Sequence, residues 1–192
     1  MEEKPQTVSL RYYGISPWEI EVIYNIFNKK FEVIQDVIER DEYLRHLGSK
    51  SLQMDCEECV SALTITIPVQ FSEEFFKWFE FKRWEKIKSI IKEMKRRRGS
   101  GNAIKIEINF TGEPNIGFII DLHEKHFFNN ATEKIDYVVE LLQYHLSEND
   151  IPKNPSDLIY KFDTDPGRWK LNMITANDKK FVSTEKGWKI FT

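Results

Sequence analysis

Cysteine is scarce in this sequence, and glycine and proline are few. The 192 residues include two cysteines, Cys56 and Cys59, with eight glycines and seven prolines. Two cysteines cannot build the disulfide framework of a small secreted protein, so we expect a reducing compartment, the cytoplasm. The hydrophobic share of 41% and the aromatic share of 14% predict a folded core rather than a disordered chain.

The sequence also lacks a secretory signal, an apolar run long enough to span a membrane, and the familiar catalytic motifs. There is no Walker A loop, GxGxxG, GxSxG or HExxH, and no spacing of serine, histidine and aspartate singles out a triad. We therefore expect a binding protein without a cofactor rather than an enzyme.

Two residue pairs have the spacing of metal ligands. Cys56 with Cys59 and His123 with His126 together could form a Cys₂His₂ zinc site. A lone CxxC pair is a weak motif, because two small cysteines before a strand and surface histidines before a helix give the same pattern without metal. We predict no metal site and retain these four residues as weak candidates.

A long helix is predicted from Ser72 to Arg98. Ser72 is a favourable N-cap, acidic residues follow in the first turn, and Gly99 is a natural C-cap after a basic last turn. At 100° per residue, six large apolar residues form the stripe expected to pack in the core. They are Phe76, Trp84, Ile87, Ile90, Ile91 and Met94.

Two aromatic residues of this helix, Trp78 and Phe81, lie outside the apolar stripe. Five cations share their sector, with Glu85 as the one acid among them. These cations are Lys77, Lys88, Lys92, Lys95 and Arg96. Because bases stack on aromatic rings and phosphates meet cations, the sector predicts a surface for single-stranded nucleic acid. Four further cations are expected to help hold phosphates: Lys82, Arg97, Arg98 and Lys105.

Charge is distributed unevenly along the chain. Residues 72–98 carry ten lysines and arginines against five glutamates, a net of +5, so the other residues carry −8 of the overall −3. A basic element on an acidic body directs an anionic ligand to one place. The charged share of 31%, rich in lysine and glutamate, is also typical of thermophiles.

Two other hypotheses remain open. In the first, Trp78, Phe81 and Phe75 form an apolar patch that dimerises or binds a protein partner, with the basic tail at its rim. In the second, acids near a predicted hairpin, Glu107 and Asp121 with Glu124, bind Mg²⁺ as a nuclease would. Solvated surface is the commoner explanation for such acids. A further stacking candidate, Trp18, is expected in the core.

The remaining elements are predicted from alternation, helical periodicity and turn residues. Strands are expected at Thr7–Tyr13 and Cys59–Phe71, with a hairpin at Ala103–Leu122. Because of Pro68, the second strand is expected to lie at a sheet edge or to contain a bulge there. Further helices are expected from Ser16 to about Asn28, at Asp36–Leu47 and at Ala131–Leu146.

These elements predict an α+β fold, with an antiparallel sheet and helices packed on one face. Residues 151–155 form the expected boundary between an α+β core of residues 1–150 and a small β-rich C-terminal unit of residues 151–192. The two parts could also belong to one domain.

The aromatic and basic run resembles a known family. Residues Phe75–Trp84, leading into Lys92–Arg98 and then a hairpin, have the layout of ThermoDBP, the single-stranded DNA-binding proteins of hyperthermophilic archaea. The resemblance spans Leu63 to Leu146. It implies an α+β fold, a basic cleft floored by aromatic rings, and sequence-independent binding of single strands, often by dimers. This chain differs by ending in a β-rich unit instead of a leucine-zipper tail.

The chemistry of the ligand is only partly specified by the sequence. RNA is distinguished from DNA by a few polar contacts to the 2′-hydroxyl, which no pattern here predicts. Both nucleic acids therefore remain expected partners, with DNA favoured by the resemblance, and a homodimer remains open.

Overall fold

The computed structural model describes residues 6–42, 61–101, 103–147 and 151–191. Its strands are β1 Thr7–Tyr13, β2 Glu32–Val37, β3 Ala62–Ile67, β4 Lys105–Phe110, β5 Asn115–Ile120, β6 Pro155–Asp163, β7 Arg168–Ala176, β8 Lys179–Thr184 and β9 Gly187–Phe191. Its helices are α1 Pro17–Phe27, α2 Glu73–Phe79, α3 Phe81–Arg98, α4 Lys125–Glu133 and α5 Val138–Ser147. In this part of the chain, no helix is long and apolar enough to cross a membrane.

The strands form one sheet in the order β2-β1-β3-β4-β5-β6-β7-β8-β9. The α+β content agrees with the prediction, but the purely antiparallel sheet is wrong, because β1–β2, β3–β4 and β5–β6 are parallel pairs. Each parallel pair is joined by helices, as parallel neighbours require: α1, then α2 with α3, then α4 with α5. The other neighbouring pairs are antiparallel.

One face of the sheet carries the core. Along β3 and β4, buried Leu63, Ile65, Ile106 and Ile108 alternate with half-buried polar residues of the opposite face. The buried side chains of the strands join those of all five described helices in one cluster. These helices therefore cover the same face of the sheet.

Several predictions of local structure are confirmed. Strand β1 has the predicted bounds, and α1 begins with Pro17 after the N-cap Ser16. Ser16 and Glu19 form a capping box, in which each side chain bonds the other residue's backbone N–H. The hairpin within residues 103–122 is also present as antiparallel β4 and β5.

Several element bounds differ from the prediction. The chain around 32–37 is strand β2, while the rest of the helix predicted at Asp36–Leu47 falls largely outside the described residues. Strand β3 ends at Ile67 and pairs on both sides, with β1 and β4, so the edge position inferred from Pro68 is wrong. Pro68 lies just beyond the last paired residue, where a missing N–H costs no ladder bond.

The C-terminal region continues the sheet. Strand β6 pairs with β5, and β7, β8 and β9 follow in order. Leu158, Tyr160 and Trp169 belong to the same buried cluster as the helices. Trp169 also donates its indole N–H to the Ala131 carbonyl of α4 at 3.1 Å. Residues 155–191 therefore share the core of the preceding residues.

Candidate nucleic-acid interface

The helix predicted from Ser72 to Arg98 is broken at Glu80. Both predicted ends are present: Ser72 Oγ accepts from the Phe75 N–H at 3.2 Å, and the Gly99 N–H donates to the Lys95 carbonyl at 3.1 Å. Glu80, however, has φ 70° and ψ 116°, which separates α2 from α3. Left-handed φ is uncommon for a residue with a side chain, so the surrounding packing must hold it.

Packing on the two sides of Glu80 explains the break. The buried residues of α2 are Phe75, Phe76 and Phe79, and those of α3 include Trp84, Ile87 and Ile91. On one continuous helix at 100° per residue, these two sets would face directions roughly 110° apart. The break turns α2 so that both sets meet the core. No residue type marks this position, but the phase shift between the two apolar stripes is visible in the sequence.

Trp78 and Phe81 flank the break and are half-exposed, at 45% and 49%. The Trp78 ring contacts Phe31 edge-on, with centroids 5.2 Å apart, and Lys30 Nζ lies 5.3 Å from the Trp78 ring centroid. The Phe81 ring stacks on buried Phe76, with centroids 5.8 Å apart and planes 20° apart. Each exposed ring is thus supported by another aromatic ring.

Exposed cations lie on the same elements. Lys77 forms an ion pair with Glu73 at 3.1 Å in which both side chains are exposed, and Lys82 lies exposed at the start of α3. Lys30 approaches Glu80 at 4.0 Å. We call the surface formed by Lys30, Lys77, Trp78, Phe81 and Lys82 the corner surface.

Glu80 is the acid at the centre of the corner surface. A hydrogen bond from Arg83, at 3.1 Å, lowers the pKa of Glu80, with smaller contributions from nearby lysines. Glu80 is therefore charged at neutral pH, and its charge is largely offset by Arg83 and Lys30.

Sequence analysis missed Lys30, which lies over the Trp78 ring, and two further exposed lysines, Lys29 and Lys86. Lys29 and Lys30 end the turn after α1, and Lys86 lies exposed one turn beyond Lys82 on α3. The adjacent Lys29, Lys30 and Phe31 repeat the basic and aromatic combination of the main helix. That repetition was the indication available in the sequence, but the proximity of Lys30 to Trp78 depends on the tertiary fold.

Three predicted phosphate ligands are buried, which corrects their assignment to the surface. Lys88, Lys95 and Lys105 are 3%, 0% and 0% exposed. A phosphate cannot approach these ammonium groups without disrupting the core. Their positions at the margin of the apolar stripe, or on a strand, place their aliphatic stems inside the fold.

Each buried lysine has internal partners. Lys88 Nζ lies 2.6 Å from Glu85 Oε1 and 3.0 Å from Asp136 Oδ1. Burial acts to lower the pKa of Lys88, but the hydrogen bonds to these carboxylates outweigh it and the pKa is raised. Lys95 Nζ donates to the carbonyls of Gly101 and Leu122, at 2.7 and 2.9 Å. Lys105 Nζ lies 3.3 Å from Glu107.

The basic end of α3 is neutralised within the protein. Arg96 and Arg97 both bond Glu93, at 2.5 and 2.9 Å, and these bonds lower the pKa of Glu93 to about 2. Lys92 is paired with Glu133, and Arg98 with Glu19. These cations are less available to a ligand than their number suggests.

The structure also separates the basic end from the aromatic pair. Arg97 follows Phe81 by sixteen residues along α3, a distance of about 24 Å at 1.5 Å per residue. Near Arg97 the exposed ring is Trp18, whose centroid lies 4.9 Å from the guanidinium carbon. Trp18 is 57% exposed, so its expected place in the core is wrong.

The metal hypotheses are not supported within the described residues. Cys56 and Cys59 lie outside them, while His123 and His126 are exposed, with His126 Nδ1 3.3 Å from Glu124. Among the residues that the structure describes, no group of three histidine, cysteine, aspartate or glutamate side chains is placed to hold a metal ion.

In comparisons with known proteins, no family model, no curated protein and no solved structure matches this chain. The resemblance to ThermoDBP stays a prediction.

Proposed function

We propose that this protein binds single-stranded nucleic acid, DNA by preference, at the corner surface and without catalysing a reaction. The observation that carries the proposal is the pair of half-exposed rings, Trp78 and Phe81, each supported by another ring. A ring held in place loses little conformational freedom when a base stacks on it. Because every base has a π-face, such binding is tolerant of sequence.

Stacking alone does not supply useful affinity. Each stacked base contributes about 1–3 kcal/mol, so two rings give about 2–6 kcal/mol. A micromolar dissociation constant requires about 8 kcal/mol. The difference must come from phosphates meeting exposed lysines of the corner surface, namely Lys30, Lys77 and Lys82, with Lys29 and Lys86 beside them.

These lysines predict the salt dependence of binding. Each phosphate held by a lysine releases counterions, and for single strands the slope of log K against log salt is about −0.7 per phosphate. With three or four phosphates held, we expect a slope of about −2 to −3. This is shallower than all nine predicted cations would give, because the buried lysines and the paired arginines do not take part.

The experiment is a titration of the protein with a fluorescent oligothymidine DNA at several salt concentrations, repeated with Phe81→Ala. We expect salt-dependent binding that weakens several-fold in the variant, because one stacking ring is lost. An oligouridine RNA of equal length tests the preference for DNA. No binding at low salt by a protein that circular dichroism shows to be folded would contradict the proposal.

One observation favours a second candidate, a protein-interaction or dimerisation surface. The basic end of α3 is neutralised by Glu93, Glu133 and Glu19, which leaves the aromatic residues as the most distinctive exposed groups of the helix pair. Sedimentation of the wild type and of Trp78→Ala distinguishes the two candidates. A dimer that dissociates in the variant, with no change on adding DNA, would favour the interface.

A further inference from the structure

A cavity of about 550 Å³ lies on the sheet face opposite the core. Its floor includes Gly117, Ile119 and Ile159, which alternate along β5 and β6 with the core residues Phe118 and Leu158. Small-molecule sites commonly have volumes of this size and combine an apolar lining with a few polar groups. The corner surface does not include any of the residues that line this cavity.

Lys161 lies at one end of the cavity. It follows Ile159 by two residues on β6, so the two side chains share a face of the sheet. Lys161 also pairs with Ile119 of β5, and Ile119 pairs with Glu107 of β4. Ile159, Ile119 and Glu107 all line the cavity. The register therefore places Lys161 in one row with Ile119 and Glu107, at the edge of the cavity.

The acids on the neighbouring strands are already paired with other cations. On β4, Lys105 Nζ lies 3.3 Å from Glu107, so these two charges offset each other. Asp163 of β6 forms an ion pair with Lys170 of β7. Within the described residues, no acid lies within ion-pair distance of Lys161. Lys161 is therefore a half-buried amine without a close counter-ion.

The surroundings of Lys161 favour its neutral form. Burial lowers the pKa of Lys161, the positive charge of Lys105 lowers it further, and the Asp121 carboxylate opposes both only in part. Asp121 directly follows β5, and its buried Oδ1 accepts no hydrogen bond in the part of the chain that the structure describes. A desolvated lysine beside another cation is a more effective nucleophile at neutral pH than an exposed lysine.

We propose that Lys161 forms a reversible imine with a neutral aldehyde bound in this cavity. The amine nitrogen attacks the carbonyl carbon and a C–N bond forms. The carbonyl oxygen then leaves as water with the two hydrogens of the amine, and a C=N bond remains. This condensation needs no oxidant or reductant, and water reverses it. Such a site goes beyond nucleic-acid binding and lies on a different face of the protein.

The lining of the cavity favours an uncharged ligand with an apolar chain. Glu107 and Asp157 both line it, and their carboxylates repel a ligand that carries a carboxylate of its own, such as a 2-oxo acid. Lys180 lines it too but has an interaction of its own in the protein, and a neutral ligand does not require its charge. Asp157 lies four residues before Lys161 on β6, about 13 Å away along the strand. An unbranched aldehyde such as hexanal fits within this length.

Trapping the imine tests the proposal. The intact protein is incubated at neutral pH with hexanal and sodium cyanoborohydride, which reduces the imine to a stable secondary amine, and peptide mass spectrometry locates the labelled lysines. Lys170 is the internal control, because it pairs with Lys161 across the sheet but is exposed and has Asp163 as a counter-ion. We expect labelling at Lys161 to saturate with hexanal and to be at least about tenfold faster than at Lys170. Equal rates at the two lysines would overturn the proposal.

Formaldehyde separates a reactive amine from a binding site. It forms an imine by the same reaction but has no chain to lie on the apolar floor. The preference for Lys161 over Lys170 should therefore be at least about threefold greater with hexanal than with formaldehyde. The same preference with both aldehydes would overturn the placement of the ligand in the cavity.

A matched pair of variants locates the chain of the aldehyde. Ile119→Thr makes the floor beside Lys161 less apolar and should reduce the preference of hexanal for Lys161. Ile34→Thr makes the same change at an exposed position of β2 and should leave this preference unchanged. If both variants are labelled as the wild type is, the chain lies elsewhere and the proposal fails. Neither result bears on nucleic-acid binding, since these residues are not part of the corner surface.

Discussion

Arg98 in the last turn of α3 forms a two-point ion pair with Glu19 in the first turn of α1. Arg98 Nη1 lies 2.9 Å from Glu19 Oε1, and Nη2 lies 2.9 Å from Oε2. Glu19 is 5% exposed and also accepts from Ser16 in the capping box. The pair therefore joins two helices at the edge of the core, and Arg98 acts in stability rather than in ligand binding.

Arg98→Met should lower the free energy of unfolding by about 3 kcal/mol, because it leaves the Glu19 carboxylate buried without its partner. Urea unfolding measures this loss. Arg96→Met is the matched control: its ion pair is exposed to solvent, so we expect a much smaller loss of unfolding free energy. Equal losses in the two variants would show that the Glu19 pair has no special role.

The same ion pair predicts that the stability of the protein depends on pH. The hydrogen bond from Arg98 is the main cause that holds the pKa of Glu19 below its ordinary value of 4.5. Its stabilisation is present above the unfolded-state pKa and is lost as the pH falls through the lower folded-state pKa. The stability difference between wild type and Arg98→Met should therefore be full near neutral pH and shrink below about pH 4.5. A difference that stays constant into acid would contradict this.

Lys88 and Lys82 should respond differently to the same substitution. Lys88→Met removes a buried cation that pairs with half-exposed Glu85 and with largely buried Asp136, so we expect a loss of about 3 kcal/mol in unfolding free energy. Lys82→Met should leave stability unchanged and make the slope of log affinity against log salt shallower by about 0.7. Urea unfolding and salt titrations measure both quantities. The reverse pattern would mean that Lys88, not Lys82, meets the nucleic acid.

Gly117→Ala should destabilise the fold by about 1–3 kcal/mol, because its Cβ would lie too close to Asn109 and Ile159. Adding Asn109→Ala removes one of the two clashing groups, so the double variant should lose less than the sum of the two single losses. Thermal unfolding of the wild type, the two single variants and the double variant gives the four stabilities of this double-mutant cycle. Additive losses would show that the two positions do not meet.

Features encoded by neighbouring residues could be predicted from the sequence. Strand β1, the start of α1 and the β4–β5 hairpin follow from alternation, from Ser16 before Pro17 and from turn residues. Parallel pairing could not be predicted in the same way, because it joins strands separated by whole helices. The hairpin, which is local, suggested an antiparallel sheet that the rest of the chain does not form.

In the candidate site, too, local features could be predicted from the sequence and long-range contacts could not. The exposure of Trp78 and Phe81 agrees with their position off the apolar stripe. The burial of Lys88 and Lys95 does not follow from the helix alone, since their partners come from distant segments such as Asp136 and Leu122. The break at Glu80 is intermediate between these cases. The change in helical phase between the apolar residues before and after it indicates a break, but no capping residue marks its position.

The central claim is that single strands bind at the corner surface. The most direct test compares the affinity of Trp78→Ala and Trp18→Ala for a fluorescent oligothymidine at low salt. Both tryptophans are exposed and carry a cation over the ring, but Trp18 lies at the other end of α3. We predict at least about fivefold weaker binding for Trp78→Ala and nearly wild-type binding for Trp18→Ala. Equal affinities of Trp78→Ala and the wild type, or a loss confined to Trp18→Ala, would contradict the claim.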